Sequence, residues 1–402
     1  MIYRKTPGKT EIIKTKGDEG EEFVNDLSHN AYLKYWCYPN PKDTNGDKKE
    51  ICDLLILFYN TAIIISVKNY QVKGNYKRFQ KKVIEKSSNQ LFGAQKKLFK
   101  NKEKVIIEHP EKGTEEFNPT QYKKIYRITV SVGEDIDGYQ LIDHNKQKGS
   151  VTIFNRETFK SIIEELDTIK DLTEYLEKRE NLLIENNDKK LNCTERDLLA
   201  HYLTNERKFQ PELYSTFEET SKTLKGRWKN YLENKSVYLK KLEDEKSYFI
   251  DDLIKNDVLK VQGGEKLAKE LMGLSRFERR IIARNLFEMV EKYQDKEGFL
   301  GRRFFEYNGI GYLIIYYPPE ESEKDVETIL MHAQQLYSYF HEFDKVLLLA
   351  ATKELKQWKF GLFQATELNP KVEESLKILA EKYGWFKDEK KTEREVKEYP
   401  DE

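Results

Sequence analysis

The sequence has little of what several common protein classes are built from. Cysteine occurs three times in 402 residues, at Cys37, Cys52 and Cys193, an odd number with no C-x-x-C pair. That pattern argues against a disulfide framework and a thiolate zinc site. No run approaches the roughly 18 uninterrupted apolar residues of a membrane-spanning helix. The longest, Leu54 to Tyr59 and Ala62 to Val67, are of strand length. The opening MIYRKTPGKTEIIK lacks the apolar core of a secretory signal, so a cytoplasmic location and no membrane partner are expected. The six histidines, at 29, 109, 144, 201, 332 and 341, show no H-E-x-x-H spacing, and no G-x-x-x-x-G-K-S/T phosphate loop occurs. Net charge is absent too, with 70 Lys and Arg against 70 Asp and Glu, which rules out a chain that is basic throughout.

What is present is charge of both signs and many large rings. Charged residues make up 35% of the chain, and 25 Tyr with 21 Phe supply apolar surface that a hydrophobic fraction of 38% would otherwise lack. At roughly 100–200 residues per domain, the length predicts two or three folded domains.

Phe23, Val24, Leu27 and Ala31 fall at helical spacing, predicting an amphipathic helix from about Asp18 to Leu33. A short strand is expected at Tyr35 to Tyr38, ended by the turn-rich PNPKDTNGDKK segment, where Pro39, Pro41 and Asn45-Gly46 oppose regular structure. The runs ICDLLILFY at 51–59 and AIIISVKNY at 62–70 read as a hairpin of buried strands. A helix from Asn75 to Lys100 carries Phe79, Val83, Ser87, Leu91, Ala94 and Leu98 along one stripe. A loop around Pro110 to Pro119, a strand at 124–132, a further hairpin and a helix at about 157–166 complete a mixed α/β unit over 1–166. Residues 167–295 are helical in pattern and rich in Glu, Lys and Leu, as expected of a scaffold or linker region. Residues 296–386 regain strands around the Asn308-Gly309 turn and predict a smaller α+β domain, with Ser322 and Asp325 as a helix cap. Residues 387–402 are expected to be a disordered, charged tail.

One constellation stands out. Asp53 interrupts an otherwise apolar strand, and Lys68 closes its neighbour. A carboxylate among aliphatic side chains is costly unless paired, either with a metal ion or with the lysine itself as a salt bridge at the strand mouth. Between Lys68 and Lys104 stand twelve basic residues, including Lys73, Lys77, Arg78, Lys81, Lys82 and Lys86, against Glu85 and Glu103 alone. This segment would attract a phosphate backbone; its plainer reading is a solvated helix face.

An acid on a first helix, an Asp in a hairpin strand, an acidic-x-Lys on the next strand, then a long helix and another strand, is the pattern of the PD-(D/E)xK superfamily of restriction-endonuclease-like nucleases, which this chain resembles. Segments such as YWCYPNPK, EKSSNQLFGAQKKL and RDLLAHYL also resemble a group of uncharacterised bacterial proteins with this domain, over roughly the first half of the chain. The resemblance implies a mixed sheet flanked by helices, with Mg2+ or Mn2+ held by Glu21 and Asp53 and water assisted by Lys68. Glu21 follows Gly20 as in the family's G-E-x-apolar-apolar pattern, with Glu19 and Glu22 as competitors. Gln90 matches a polar helix residue that touches metal-bound water or phosphate; a helix-to-loop hydrogen bond is its other reading. The chain departs from the motif at Ser66, where the family has an acid. The expected partner is nucleic acid, most readily DNA, in bacterial restriction or anti-phage defence, with a homo-oligomer or a partner protein of the defence system. The alternative is a non-catalytic nucleic-acid-binding or partner-recruiting module that keeps the fold.

Overall fold

β-branched and aliphatic runs alternate with turn residues and amphipathic stripes along the first part of the chain, and each run becomes a strand or a helix of one mixed sheet. The computed structural model describes residues 16–32, 34–46, 48–71, 74–101, 104–133, 139–298, 300–319, 322–355, 358–365, 370–386, 390 and 392–400. The chain divides into two compact units, Met1–Glu233 and Asn234–Glu402.

In the first unit, α1 (Lys16–Tyr32) leads to strands β1 (Cys37–Pro39), β2 (Leu54–Phe58) and β3 (Thr61–Lys68). A 3-10 turn at Lys34–Trp36 takes the place where a strand was expected to begin, and β1 extends through Pro39. Proline is tolerated there because β1 is an edge strand, whose missing N–H removes no ladder bond on the open side. The hairpin register pairs Phe58 with Thr61, leaving Tyr59 and Asn60 as its turn, with Tyr59 at φ +48°. After β3 come α2 (Tyr76–Phe79), a π-helical segment at Gln80–Glu85, and α3 (Lys86–Lys100). The stripe Phe79, Val83, Ser87, Leu91, Ala94 and Leu98 is buried throughout. The wider π turn also brings Ile84 inward beside Val83.

The segment expected as a loop around Pro110 forms instead the hairpin β4 (Ile106–His109) and β5 (Gly113–Glu116). Next follow β6 (Lys124–Ser131), β7 (Ile142–Asn145), β8 (Gly149–Asn155) and α4 (Arg156–Glu165). The six-stranded sheet runs β1-β2-β3-β6-β8-β7, with β3, β6 and β8 parallel and the other pairings antiparallel. One face carries Leu55, Leu57, Ala62 and Ile64 against Leu91, Ala94 and Leu98 of α3. The opposite face meets α1: a Cβ on Gly20 would lie 3.3 Å from Val67 Cγ1 and 2.6 Å from Val132 Cγ2.

The stretch expected as a separate helical region is shared between the two units. In the first, α5 (Ile169–Glu185) and α6 (Glu195–Thr204) are joined by a buried Arg179–Glu195 pair, Nε–Oε1 2.6 Å and Nη2–Oε2 2.8 Å. Arg179 Nη2 also donates to the Leu141 carbonyl at 3.0 Å, tying these helices to the sheet. Short helices α7 (Glu212–Ser215), α8 (Phe217–Thr223) and α9 (Arg227–Glu233) end the unit.

The second unit opens with α10 (Lys235–Asp244), α11 (Tyr248–Asn256), α12 (Gly264–Met272) and α13 (Arg276–Tyr293). Strands β9 (Gly301–Tyr307) and β10 (Ile310–Tyr316) turn at Asn308 and Gly309, both in the left-handed region at φ +51° and +72°. Helix α14 (Glu323–Phe340), capped by Ser322 Oγ accepting from Asp325 N at 3.2 Å, crosses to the parallel strand β11 (Lys345–Ala351). Strand β12 (Trp358–Gln364) and α15 (Pro370–Tyr383) follow, giving a sheet in the order β12-β11-β10-β9. Tail residues 392–400 form no helix or strand. They are nevertheless held, because the carbonyls of Lys397 and Glu398 accept from Arg280 Nη2 at 3.0 and 2.9 Å. No helix among the described residues is long and apolar enough to cross a membrane.

Candidate active site

The mouth of the β2–β3 hairpin assembles the polar groups. Asp53 stands just before β2 rather than inside it. Its N–H donates to the Ile65 carbonyl at 3.2 Å and its own carbonyl accepts from Asn40 N at 3.0 Å, so the backbone is held on both sides. Asp53 Oδ2 accepts a short hydrogen bond from the Val67 N–H and faces Lys68 Nζ at 3.9 Å. The carboxylate is therefore partnered at the sheet's end instead of stranded in its apolar interior.

Lys68 ends β3. Its ammonium donates to Ser66 Oγ at 2.7 Å and to the Val67 carbonyl at 3.1 Å. Residues two apart on a strand share a face, which is why Ser66 can reach it. Burial lowers the Lys68 pKa, and nearby Asp53, Glu21 and Glu50 oppose that shift while Lys86 adds to it.

Glu21 lies on α1, which packs on the face opposite Ser66, and Asn40 Nδ2 donates to its Oε2 at 3.3 Å. Asn40 thus links Glu21 to the backbone of Asp53. Its own side-chain oxygen, Oδ1, is buried with no hydrogen-bond partner among the described residues.

Gln90 on α3 lines a cavity of about 280 Å³ together with Glu50, Asp53 and Ser66. It also borders a shallower groove lined by Lys81, Lys82, Lys86 and Asn89, with Glu85 as its one acid. The two depressions meet at Gln90. Lys77 and Arg78 are exposed on the preceding turn and do not line the groove. Lys73 lies outside the described residues. None of Lys77, Arg78, Lys81, Lys82 and Lys86 has a carboxylate within salt-bridge distance among the described residues, so their charge faces solvent.

Sequence reasoning missed Glu50. Burial, then the hydrogen bond and charge of Asp53, push its carboxyl up to about 7. The one sequence signal was an acid three residues before Asp53, with Ile51 and Cys52 between them, both buried. Cys52 is no nucleophile, because burial raises its thiol pKa. Among the described residues, no three His, Cys, Asp or Glu side chains form a ready-made metal cage. No family model, no curated protein and no solved structure matches the chain.

Proposed function

We propose that the first unit is a metal-dependent nuclease of the PD-(D/E)xK kind, hydrolysing phosphodiester bonds of DNA in bacterial restriction or anti-phage defence. The observation that carries this reading is the meeting of Asp53 and Lys68 at the open end of adjoining strands, beside a cavity that runs into a lysine groove. The order helix, three strands, helix, parallel strand supports it.

The donor chemistry fits magnesium or manganese. These ions take hard oxygens and are often held by one or two carboxylates with waters and phosphate oxygens completing the shell, so a three-residue cage is not required. Glu21 and Asp53 would hold the ion, and the unpartnered Asn40 Oδ1 is a further hard oxygen beside them. Bound there, the cation would supply Lewis acidity to a phosphate oxygen and lower the pKa of water. Lys68, fixed by Ser66 and the Val67 carbonyl and made less basic by burial, positions the attacking water and stabilises charge on the phosphate. Gln90 donates to a phosphate oxygen, while Lys81, Lys82 and Lys86 track the backbone.

Plasmid and linear DNA incubated with Mg2+ or Mn2+ test this. Wild type cuts, and Asp53→Ala and Lys68→Ala each lower the rate by roughly 10²-fold or more. The second reading, a non-catalytic binding module, is favoured by Ser66, whose neutral hydroxyl replaces an acid. Salt-sensitive DNA retention without cutting under either metal establishes that module in place of the enzyme. Absence of retention excludes both.

A further inference from the structure

Residues 394–399 lie along the second unit as an extended strap. Arg394 Nη1 donates to Glu288 Oε2 at 3.0 Å, and the carbonyls of Lys397 and Glu398 both accept from Arg280 Nη2, at 3.0 and 2.9 Å. Glu288 and Arg280 stand eight residues apart on α13, about 12 Å along its axis. Three to four extended residues cover about 10–14 Å, so the strap runs along α13 against the direction of the helix. Tyr399 then reaches α10, where Lys240 Nζ lies 5.8 Å from its ring centre and its hydroxyl oxygen is buried.

The helices fix the groups that meet the strap. Arg280, 2% exposed, has Nη1 3.2 Å from Asp244 Oδ1 and its guanidinium carbon 4.8 Å from the Phe277 ring centre. The other Asp244 oxygen takes the Lys240 ammonium at 2.6 Å, and both residues are buried. A guanidinium held in this way is a preorganised reader of main-chain carbonyls, and the charge of Glu398 favours it further. Carbonyls carry no sequence information, whereas the ring beside Lys240 does. The strap itself is lightly built. Residues 392–395 are exposed, the segment forms no helix or strand, and the ion pair of the largely exposed Arg394 adds little.

We propose that the groove between α10 and α13 is a peptide-binding site, and that residues 394–399 are its resident, displaceable ligand. The peptide it takes is extended, offers two successive carbonyls to Arg280, and sets an aromatic ring beside Lys240 directly after an acidic residue. A segment of this kind on a partner protein competes with the strap, whose tether gives it a high local concentration. The proposal is independent of the nuclease reading of the first unit.

A synthetic peptide of residues 392–400, titrated by calorimetry, tests it on three proteins: the full chain, the chain ended before Thr392, and full-length Tyr399→Ala. The peptide binds the shortened chain one to one and at least ~10-fold more tightly than the full chain, whose own strap competes. Full-length Tyr399→Ala, its hold on the groove weakened, also binds the peptide more tightly than wild type does. A peptide carrying Tyr399→Ala binds the shortened chain at least ~10-fold more weakly than the unaltered peptide, as loss of a buried aromatic anchor requires. Equal affinity for the full and shortened chains overturns the proposal, because the strap then does not fill the site. Equal affinity of the two peptides overturns it as well. Thermal midpoints show whether the shortened chain folds. Where it does not, full-length Tyr399→Ala decides alone, and a peptide affinity no higher than that of wild type overturns the proposal.

Discussion

At the scale of single residues, burial decides what each ionisable group does. His201 on α6 is 1% exposed, and neither ring nitrogen has a partner among the described residues. Burial first, and then the charge of Arg227, lower its pKa to about 4. The folded chain thus keeps this ring neutral, whereas the unfolded chain protonates it near the ordinary value of about 6.5. Stability from this group is whole above about pH 6.5 and is lost as the pH falls from there toward 4, at up to ~1.4 kcal/mol per pH unit. Urea denaturation at about pH 7.5 and about pH 5 should show this decline in wild type, and His201→Leu should flatten it. An unchanged pH dependence in the variant would place the sensitivity elsewhere. Lys68 shows the same physics at the candidate site, where burial makes an ammonium easier to deprotonate.

At the scale of elements, the close docking of α1 brings Glu21 to the sheet's end. Gly20 permits that approach, because a Cβ there would lie 2.6 Å from Val132 Cγ2. Gly20→Val should force α1 away from β3 and cost roughly 1–3 kcal/mol, as overpacking does. Denaturant unfolding measures the cost, and Mn2+ binding shows whether Glu21 moved with its helix. Much of this layer was legible in sequence. The stripe from Phe79 to Leu98 faces the sheet as its spacing required, and the Asn308-Gly309 turn has the two left-handed residues a two-residue hairpin needs. The β4–β5 hairpin was not legible, since its run GTEE has no apolar alternation and becomes a strand only by pairing with Ile106–His109. Pro39 misled in the same way: a proline forbids a central strand, and only the sheet order shows that β1 is at the edge.

At the scale of the whole molecule, zero net charge is the average of unlike parts. The groove lysines lie in a segment of twelve basic residues, balanced by acids elsewhere in the chain. DNA retention should accordingly weaken steeply with salt, although the chain as a whole is neutral. Replacing Lys81, Lys82 and Lys86 by Ala together should reduce the slope of log affinity against log salt by up to about three, roughly one for each phosphate no longer neutralised. Filter binding over a salt series measures it, and an unaltered slope would move the nucleic-acid path off this helix.

Sequence alone determined which segments are helices and strands through most of both units, because periodicity and turn chemistry act over a few residues. It also singled out Asp53 and Lys68, since polar groups at apolar strands are conspicuous. Tertiary structure alone decided that Asp53 stands at the sheet's mouth, that Glu50 lines the same cavity, that Ser66 is bonded to Lys68, and that Glu21 is held by Asn40 on the opposite face. These depend on strand register and on how closely a helix docks. Both are set by packing between residues far apart in the chain, which no local pattern encodes.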